Sequence, residues 1–424
     1  MIINTQIAGG GGPAPAPASM DDPIRFFDYD GELVASYSSV PASLPSVPTH
    51  NGLTGGTWNY TLAQITTQFN AVGACDVGAN YTTSSGATEI DIELHIGRLH
   101  PYLSLAVDGT VSIDWGDNTT PDSVTGTSIA ARLTTIHHTY SQAGRYTIKV
   151  SKTNGNGYAL IGTNLYPLLN ANSSSVANNS VYVNCVKYVR MGPNCTIGDY
   201  GLFRCFSMKA ISIHPSVSSM GAQSFYYCYS LRYAVIPSGV TTIGNSVFYA
   251  CYSLSSVSIP NGVTTIALNT FQNCYSLTSL VLPSQLASIG NSAFDGCLSL
   301  SSAVIPSGVT TIGTRTFNSG TCLSSVTIQN GLTTIPEQFA YSCTTLTSAT
   351  IPSSVTSIGA KAFGGCNGMA EYHFKRTESV PTLANTNAFQ NIASDCKIYV
   401  PASKLADYQT ANYWSTYASY MVGE

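Results

Sequence analysis

A repeat of 23 residues governs the second half of the chain and constrains its fold more than any other feature. Cysteine recurs at this period, and Ile, Leu and Phe keep it as well. The cysteines of the series are Cys205, Cys228, Cys251, Cys274 and Cys297. A single unit of this length is too short to bury its own apolar edge, so successive units have to stack on one continuous core. The period therefore predicts a solenoid.

Within one repeat, Leu254-Ser-Ser-Val257-Ser-Ile259 predicts a short strand, and the equivalent strand of the next repeat lies about 4.8 Å away. The proline that follows, such as Pro260, ends the pairing because it has no N–H group. The period slips where Gly320 takes the cysteine position and where Phe339 comes one residue early. These features predict a solenoid of short parallel strands with a local irregularity near residue 320.

The segment 351–366, which reads IPSSVTSIGAKAFGGC, nearly reproduces the hallmark of the BspA-like (Treponema pallidum type) leucine-rich repeats. The sequence resembles this family, of the kind encoded by gut bacteria and their phages, with repeats over 183–396 and a C-terminal cap over 397–424. The resemblance implies a mainly β fold and a role in adhesion or receptor binding. It implies no cofactor and no catalytic residues.

Four further zones precede the repeats. Residues 1–20 form an attachment tip with a Gly/Pro linker, and 21–84 form a small β-rich module in which Asp30-Gly31 marks a hairpin and Leu62–Phe69 a short helix. Residues 85–152 form a β unit, and 153–182 a linker or N-terminal cap. Strict alternation from Glu89 to Ile96 predicts a half-buried strand in the β unit.

The β unit carries a Trp115-Gly116-Asp117 turn and a later His138-Thr-Tyr140 segment, followed by Gly144 and Tyr146. These residues resemble the PKD-type immunoglobulin-like domain, which implies a β-sandwich that acts as a spacer or an adhesion module. Carboxylates at Asp114, Asp117 and Asp122 could offer oxygens to Ca²⁺, but the 12-residue loop pattern of an EF-hand is missing. Turn capping is the favoured role for them, and no metal site is predicted.

Charged residues make up only 9% of the chain, against about 25% in ordinary soluble domains. With 17 basic side chains, no extended basic patch for nucleic acid or an anionic membrane is expected. Ser, Thr, Gly and Pro interrupt the uncharged stretch 233–294, which excludes a transmembrane helix. The first residues lack the pattern of a secretory signal peptide.

Catalytic motifs are absent from the sequence. Glu89, Asp91 and Glu93 lie on one strand face without a cleft, and the histidines form no metalloprotease motif. Adjacent cysteines of the 23-residue series are separated by about one strand spacing, 4.7–4.9 Å, which is too far for a disulfide. They predict a structural ladder of buried thiols, and the protein is expected not to be an enzyme.

Tyrosines cluster in the early repeats and do not keep their columns later in the chain. A column here is the set of residues at one position of successive repeats. The column of Tyr226 and Tyr249 continues as Gln272, and the column that contains Tyr252 continues as Leu298. A core position holds its identity from repeat to repeat, so these side chains are expected to be at least half exposed. The candidate ligand-binding residues are Tyr226, Tyr229, Tyr233, Tyr249, Tyr252 and Tyr275. The alternative is that the rings only shield the edge of the solenoid.

The sequence thus predicts a surface recognition protein that binds a host-surface glycan or protein. The N-terminal tip and linker favour a bacteriophage virion protein, a fibre or decoration anchored to another virion protein through its N-terminus and displayed at the virion surface. A homo-oligomer is possible, although no coiled-coil heptads indicate one. The alternatives are a bacterial cell-surface adhesin and a purely structural capsid or tail decoration without a receptor.

Overall fold

The structure is a computed structural model that describes residues 24–27, 33–49, 53–58, 61–63, 65–66, 75–83, 86–95, 99–128, 134–160, 168–170 and 184–424. The expected tip and linker over 1–20 lie outside these residues. The fold is mainly β, with about 10 solenoid turns and 6% helix. The predicted fold class, a leucine-rich-repeat solenoid, is therefore confirmed.

The N-terminal module holds a four-stranded sheet in the order β2-β1-β4-β3. Its strands are β1 (Ile24–Phe27), β2 (Leu33–Tyr37), β3 (Leu53–Trp58) and β4 (Cys75–Thr83). The antiparallel pairing of β1 with β2 confirms the predicted hairpin, whose turn lies outside the described residues. Residues 62–63 and 65–66 of the predicted helix are helical. Phe26 and Ile65 are buried in the core of this module.

The β unit consists of antiparallel strands. They are β5 (Thr88–Leu94), β6 (Tyr102–Asp114), β7 (Asp122–Thr127), β8 (Thr134–His137) and β9 (Gly144–Leu160), and β6 also pairs with β10 (Leu169–Asn170). Along β5 the residues Ile90, Ile92 and Leu94 are buried, so the predicted alternation is confirmed, with Ile96 outside the described residues. Strand β9 continues eight residues beyond the boundary expected at residue 152.

The first repeats continue the sheets of the β unit. Strand β11 (Val186–Arg190) pairs antiparallel with β5, and β12 (Cys195–Ile197) pairs parallel with β9. One apolar core extends from Ile90 in the β unit to Met421 near the C-terminus. The β unit therefore closes the N-terminal end of the solenoid and shares its core.

Each typical repeat contributes two short strands, and each set forms parallel ladders along the solenoid. The first set carries the Val-x-Ile segment: β13 (Ala210–Ser212), β15 (Tyr233–Val235), β17 (Ser256–Ser258), β20 (Ser302–Ile305), β22 (Ser325–Ile328), β24 (Ser348–Ile351), β26 (Glu371–Phe374) and β28 (Lys397–Val400). The second set was not predicted: β14 (Ser219–Met220), β16 (Thr242–Ile243), β18 (Thr265–Ile266), β19 (Ser288–Ile289), β21 (Thr311–Ile312), β23 (Thr334–Ile335), β25 (Ser357–Ile358) and β27 (Thr382–Leu383).

A third ladder of backbone hydrogen bonds runs along the side of the solenoid that is formed by the turns after the second strands, which we call the turn side. In most repeats, two residues four positions apart adopt the left-handed conformation, for example Ser246 (φ 56°) and Ala250 (φ 55°). The Ala250 N–H donates to the carbonyl oxygen of Gln272 in the next repeat at 2.8 Å, and the Asn273 N–H donates to Asp295 at 2.8 Å. The left-handed turn therefore points an N–H group along the solenoid axis, where the next repeat accepts it.

Replacement of Gly365 tests the cost of this geometry. Gly365 has φ +73° and stands in the column that Ala250 and Asn273 occupy in other repeats. Gly365→Ala should lower the free energy of unfolding by about 1 kcal/mol, because an L residue is disfavoured there. Gly239→Ala is the control, since its new Cβ would meet nothing closer than 3.4 Å at an ordinary φ. It should leave stability unchanged or raise it by about 0.5 kcal/mol in urea unfolding. Equal effects of the two substitutions on the free energy of unfolding would contradict the left-handed conformation of Gly365.

The C-terminal cap closes the other end of the core. It contains the 3₁₀ helices Ala402–Lys404 and Trp414–Tyr420, the helix α1 (Leu405–Thr410) and the last strand β29 (Met421–Gly423), which pairs with β28. Trp414 is buried, and its indole Nε1 donates to the carbonyl oxygen of Pro381 at 2.6 Å. Its ring lies edge-on to Phe374, with centroids 5.1 Å apart. The cap thus covers the last repeat with aromatic side chains.

Candidate functional site

Two columns of aromatic rings follow the turn side of the early repeats. Tyr229, Tyr252 and Tyr275 stack with centroids 4.6 Å apart and nearly parallel planes. Tyr226 and Tyr249 stack in the second column at 4.5 Å. Because successive repeats are offset by about one strand spacing, equal positions bring rings to stacking distance. We call these five tyrosines the tyrosine face.

The rings of the tyrosine face cover one another and present mainly their edges and hydroxyl groups. Tyr226, Tyr229, Tyr249 and Tyr252 are half-buried, whereas Tyr275 at the end of its column is 38% exposed. Partial burial raises the pKa of Tyr229 and Tyr252 above the ordinary phenol value. These hydroxyls therefore stay protonated at neutral pH and can donate hydrogen bonds to a ligand.

Tyr233 does not belong to the tyrosine face, which corrects the expectation from the sequence. Its side chain is only 4% exposed and lies in a separate apolar cluster with Ala210 and Val235. Leu33 of the N-terminal module and Tyr188 of β11 pack against this cluster. The same column holds serine in the next repeats, half-buried at Ser256 and Ser302 and buried at Ser279, whereas here other parts of the chain cover a larger ring.

The two stacked columns extend further toward the N-terminus than the sequence predicted, although Phe203 is buried and adds nothing to the exposed surface. Phe206 stacks on Tyr229 at 4.8 Å, and Phe203 stacks on Tyr226 at 5.5 Å. The Arg204 guanidinium lies 5.1 Å from the centroid of the Phe203 ring, a cation–π distance. Both phenylalanines lie 23 residues before the tyrosines they stack on, so the period contained the signal.

Toward the C-terminus a polar network replaces the second aromatic column. Asp295 is buried, and its carboxylate accepts hydrogen bonds from Asn318 Nδ2 at 2.7 Å and from Arg315 Nη2 at 3.1 Å. Gln272 Nε2 donates to the same carboxylate at 3.4 Å. The change from stacked rings to a paired carboxylate marks the end of the tyrosine face in this column.

Behind the turn side, the cysteine ladder fills the core. All five residues of the predicted series are buried, and none of the described cysteines forms a disulfide. The Sγ of Cys251 donates to the carbonyl oxygen of Phe225 at 3.2 Å, and Cys274 donates to Phe248 at 3.2 Å. Burial raises the pKa of these thiols far above the ordinary value, so they are neutral and poorly nucleophilic. At the predicted slip, Cys322 is exposed.

In the β unit, the residues of the Trp-Gly-Asp motif lie together. Trp115 is buried and stacks on His138 at 4.9 Å, and Tyr140 donates from its hydroxyl to the Trp115 carbonyl oxygen at 2.9 Å. Asp117 accepts from His138 Nε2 at 2.7 Å and from the Thr119 hydroxyl, and these bonds lower the pKa of Asp117 although burial opposes them. The motif thus organises a turn.

The candidate calcium oxygens are engaged by protein groups. Asp114 accepts from the Gly116 N–H at 2.9 Å, and Asp122 accepts from the Trp115 indole at 2.7 Å. No group of three or more His, Cys, Asp or Glu side chains is placed to hold a metal ion in the part of the chain that the structure describes. In the same residues, no helix is both long and apolar enough to cross a membrane.

The three carboxylates of β5 face cations from neighbouring strands. Arg190 binds both oxygens of Asp91, at 2.7 and 2.9 Å, and the Oε2 atom of Glu89 at 3.1 Å. Glu93 contacts Lys187 at 3.5 Å and Arg145 at 3.4 Å. Carboxylates neutralised in this way hold two strands together and are unsuited to act as an acid–base pair.

Serine and threonine hydroxyls on and beside the short strands also form hydrogen bonds within the protein. Ser301 donates to the carbonyl oxygen of Thr278 at 3.4 Å, and Ser324 donates to Ser301 at 3.0 Å. Thr334 and Ser357 share a hydrogen bond at 2.8 Å. These exposed hydroxyls link neighbouring repeats by hydrogen bonds. Their oxygen lone pairs can still accept hydrogen bonds from a ligand.

The stacked short strands and the repeated apolar columns define a leucine-rich-repeat protein. The family model of the BspA-type leucine-rich repeat region matches six copies over residues 168–278 and 264–394. Because these matches cover more than half of the chain, the protein belongs to the BspA-type leucine-rich repeat family.

Solved structures of bacterial leucine-rich repeat proteins are similar to parts of the chain. A leucine-rich cell surface protein from Faecalibacterium prausnitzii is 26% identical, with 52% of this chain and 74% of that chain covered and a TM-score of 0.37. The leucine-rich repeat protein of T. pallidum is 28% identical, with coverages of 38% and 64% and a TM-score of 0.29. A leucine-rich repeat protein from Bacteroides ovatus is 20% identical, with coverages of 54% and 75% and a TM-score of 0.33. No curated protein matches the chain.

Proposed function

We propose that the protein is a non-enzymatic surface recognition protein whose tyrosine face binds a glycan or a protein on a host surface. The observation that carries this proposal is the pair of stacked tyrosine columns, which end at Gln272 and Leu298 while the core columns continue. Side chains that only filled the core would keep their identity through the later repeats. Solenoids commonly bind ligands on an extended repeated surface of this kind.

The chemistry of the tyrosine face suits a polar ligand. Tyrosine provides a large, rigid contact with little loss of side-chain entropy. Because the rings stack on one another, hydroxyl groups and ring edges meet the ligand along most of the face. The exposed ring of Tyr275 can also contact an apolar patch of a sugar or side chain. A row of hydroxyls at about one strand spacing suits a ligand that lies along the solenoid axis.

The remaining parts of the chain have supporting roles in this proposal. We assign the β unit the spacer role implied by its resemblance to PKD-type domains, and we assign attachment to another virion protein to the N-terminal residues. The proposed location is the surface of a bacteriophage virion. The alternative is a bacterial cell surface, as for the leucine-rich cell surface protein of F. prausnitzii.

Replacement of Tyr229, Tyr252 and Tyr275 by serine tests the binding surface. The triple variant should lose more than about tenfold in affinity for host cells, because removal of a central aromatic contact often costs 2 kcal/mol or more. The matched control is Tyr341→Ser, a half-buried tyrosine on the same side of a later repeat. Binding to host cells is measured by flow cytometry with labelled protein, and folding by circular dichroism. Unchanged binding by a folded triple variant would contradict the proposal.

Electron microscopy of virions and cells tests where the protein is located. Immunogold electron microscopy with an antibody against residues 183–424 should label the exterior of virions if the virion proposal is correct. Label confined to bacterial cells would favour the adhesin. Label on virions together with no binding of the purified protein to cells would favour a purely structural decoration protein.

A further inference from the structure

A short row of cations lies in the first repeats, on the side of the solenoid formed by the first set of strands. We call this side the strand side. Lys187 near the start of β11, Lys209 just before β13 and Arg232 just before β15 occupy equivalent positions in three successive turns of the solenoid. The Lys209 N–H donates to the Lys187 carbonyl oxygen at 2.9 Å, and the Arg232 N–H donates to Lys209 at 3.1 Å. Neighbouring strands are about 4.8 Å apart, so the three side chains start from points that span about 10 Å. We call these residues the basic row.

The basic row is only partly neutralised. Lys187 contacts Glu93, but Lys209 and Arg232 are exposed and make no ion pair within the described residues. Like charges on adjacent strands repel one another, so this arrangement is unfavourable for the protein alone. The later repeats avoid it, because the same column continues with Ser255, Thr278 and Ser301. In a chain with so few charged residues, three neighbouring cations indicate a binding site for an anionic ligand.

A cleft adjoins the basic row at the junction of the β unit with the solenoid. Its volume is about 680 Å³, and Lys187, Lys209, Arg145 and Tyr146 are among its lining residues. This size is in the range of ligand sites in proteins. The acidic residues of the cleft already bind Arg190, Arg145 and Lys187. Four cations and three carboxylates line the cleft, so its net formal charge is +1.

The column beyond the basic row offers hydrogen-bond acceptors. The hydroxyls of Ser255, Thr278 and Ser301 donate to carbonyl oxygens of the preceding repeats at 3.0, 3.3 and 3.4 Å. Each hydroxyl oxygen keeps lone pairs that can accept from a ligand. A ligand that lies along this column would meet cations first and hydroxyl acceptors next. A carbohydrate with carboxylates complements both groups, because it carries anions and many O–H donors.

We propose that the basic row and the adjoining cleft bind an acidic glycan that lies along the strand side of the solenoid. The carboxylates of the glycan accept hydrogen bonds from Lys209 and Arg232, and its hydroxyls donate to the serine and threonine column. This site is separate from the tyrosine face and does not depend on it. The row is too short to make a nucleic-acid surface, which would need many more cations.

Calorimetric titration of the full chain with an oligogalacturonate tests the proposal. Wild-type protein should bind this probe, and should bind a neutral oligosaccharide of equal length much more weakly. Affinity should fall as ionic strength rises toward 1 M, where the Debye length is about 3 Å. Lys209→Ser with Arg232→Ser should weaken binding up to about 25-fold, since each exposed ion pair contributes up to about fivefold.

A matched control comes from the same column. Lys397 is exposed at the far end of the solenoid, and its N–H donates to Ala370 in the continuation of this ladder. Lys397→Ser should leave binding unchanged. The double variant should melt no lower than wild type, because serine occupies this position in other repeats. Failure of wild type to bind, equal binding of the neutral sugar, or tighter binding of an oligoglutamate peptide would overturn the proposal.

Discussion

Phe271→Ala should lower the free energy of unfolding by about 4 kcal/mol, the largest effect that we expect from a single substitution in this protein. Phe271 is fully buried and stacks between Phe248 at 5.4 Å and Phe294 at 5.5 Å. Alanine would leave a cavity that the rigid ladders on either side cannot close. The substitution would also remove two aromatic stacking contacts.

The effect of Phe271→Ala should extend beyond its own repeat. Stability in a solenoid depends on the interfaces between neighbouring repeats, and Phe271 lies in two of these interfaces. Urea unfolding followed by circular dichroism should therefore show a lower midpoint, and a broader transition if the two halves separate. Leu268→Ala is the control, since Leu268 is in the same repeat but 42% exposed, and should change stability by less than about 0.5 kcal/mol. A loss below about 1 kcal/mol for Phe271→Ala would show that the column is not tightly packed.

The core of the solenoid could be predicted because its residues repeat in identity. Phe248, Phe271 and Phe294 stack with planes within 8° of parallel, as equal positions in equal repeats should. Where the sequence slips by one residue, at Phe339, the ring turns edge-on to Phe317 with an angle of 86°. The period therefore carried information about both the regular packing and its interruption.

The second strand and the left-handed turns could not be predicted in the same way. The second strand has only two residues, such as Thr265–Ile266, which is too short for an alternation to be visible. The left-handed positions vary from Gln223 to Ser246 and Asn269, all with φ of 55–56°. Hydrogen bonds between repeats hold these turns, so the sequence needs no particular side chain there.

The candidate site was predictable in part for a related reason. The columns that contain Tyr229 and Tyr249 departed visibly from the core pattern. Tyr233 departed as well, but the packing of Leu33 and Tyr188 against it arises from contacts between parts of the chain that are distant in sequence. Exposure at the first repeats therefore depends on docking of the N-terminal segments, which a repeat pattern does not describe.

Arg190→Ala should destabilise the junction between the β unit and the solenoid by about 3 kcal/mol. Arg190 is 9% exposed on β11, and it binds Glu89 and Asp91 on β5. These hydrogen bonds outweigh burial and raise the pKa of the guanidinium, so the side chain is always charged. Removal of Arg190 takes this cation from two carboxylates that stay partly buried, and the expected loss lies at the lower end of the 3–5 kcal/mol that breaking a buried ion pair costs.

The signature of Arg190→Ala should be a loss of coupling at β5 and β11. Hydrogen exchange in the variant should accelerate at Thr88–Leu94 and Val186–Arg190, while the later repeats keep wild-type protection. Combining Arg190→Met with Glu89→Gln and Asp91→Asn should restore most of the stability, because no charge is then left unpaired. If the single variant unfolded like wild type, the ion pairs would not couple the two parts. If it exchanged faster in every repeat, Arg190 would support the whole core, and the β unit would be part of the same cooperative unit as the solenoid.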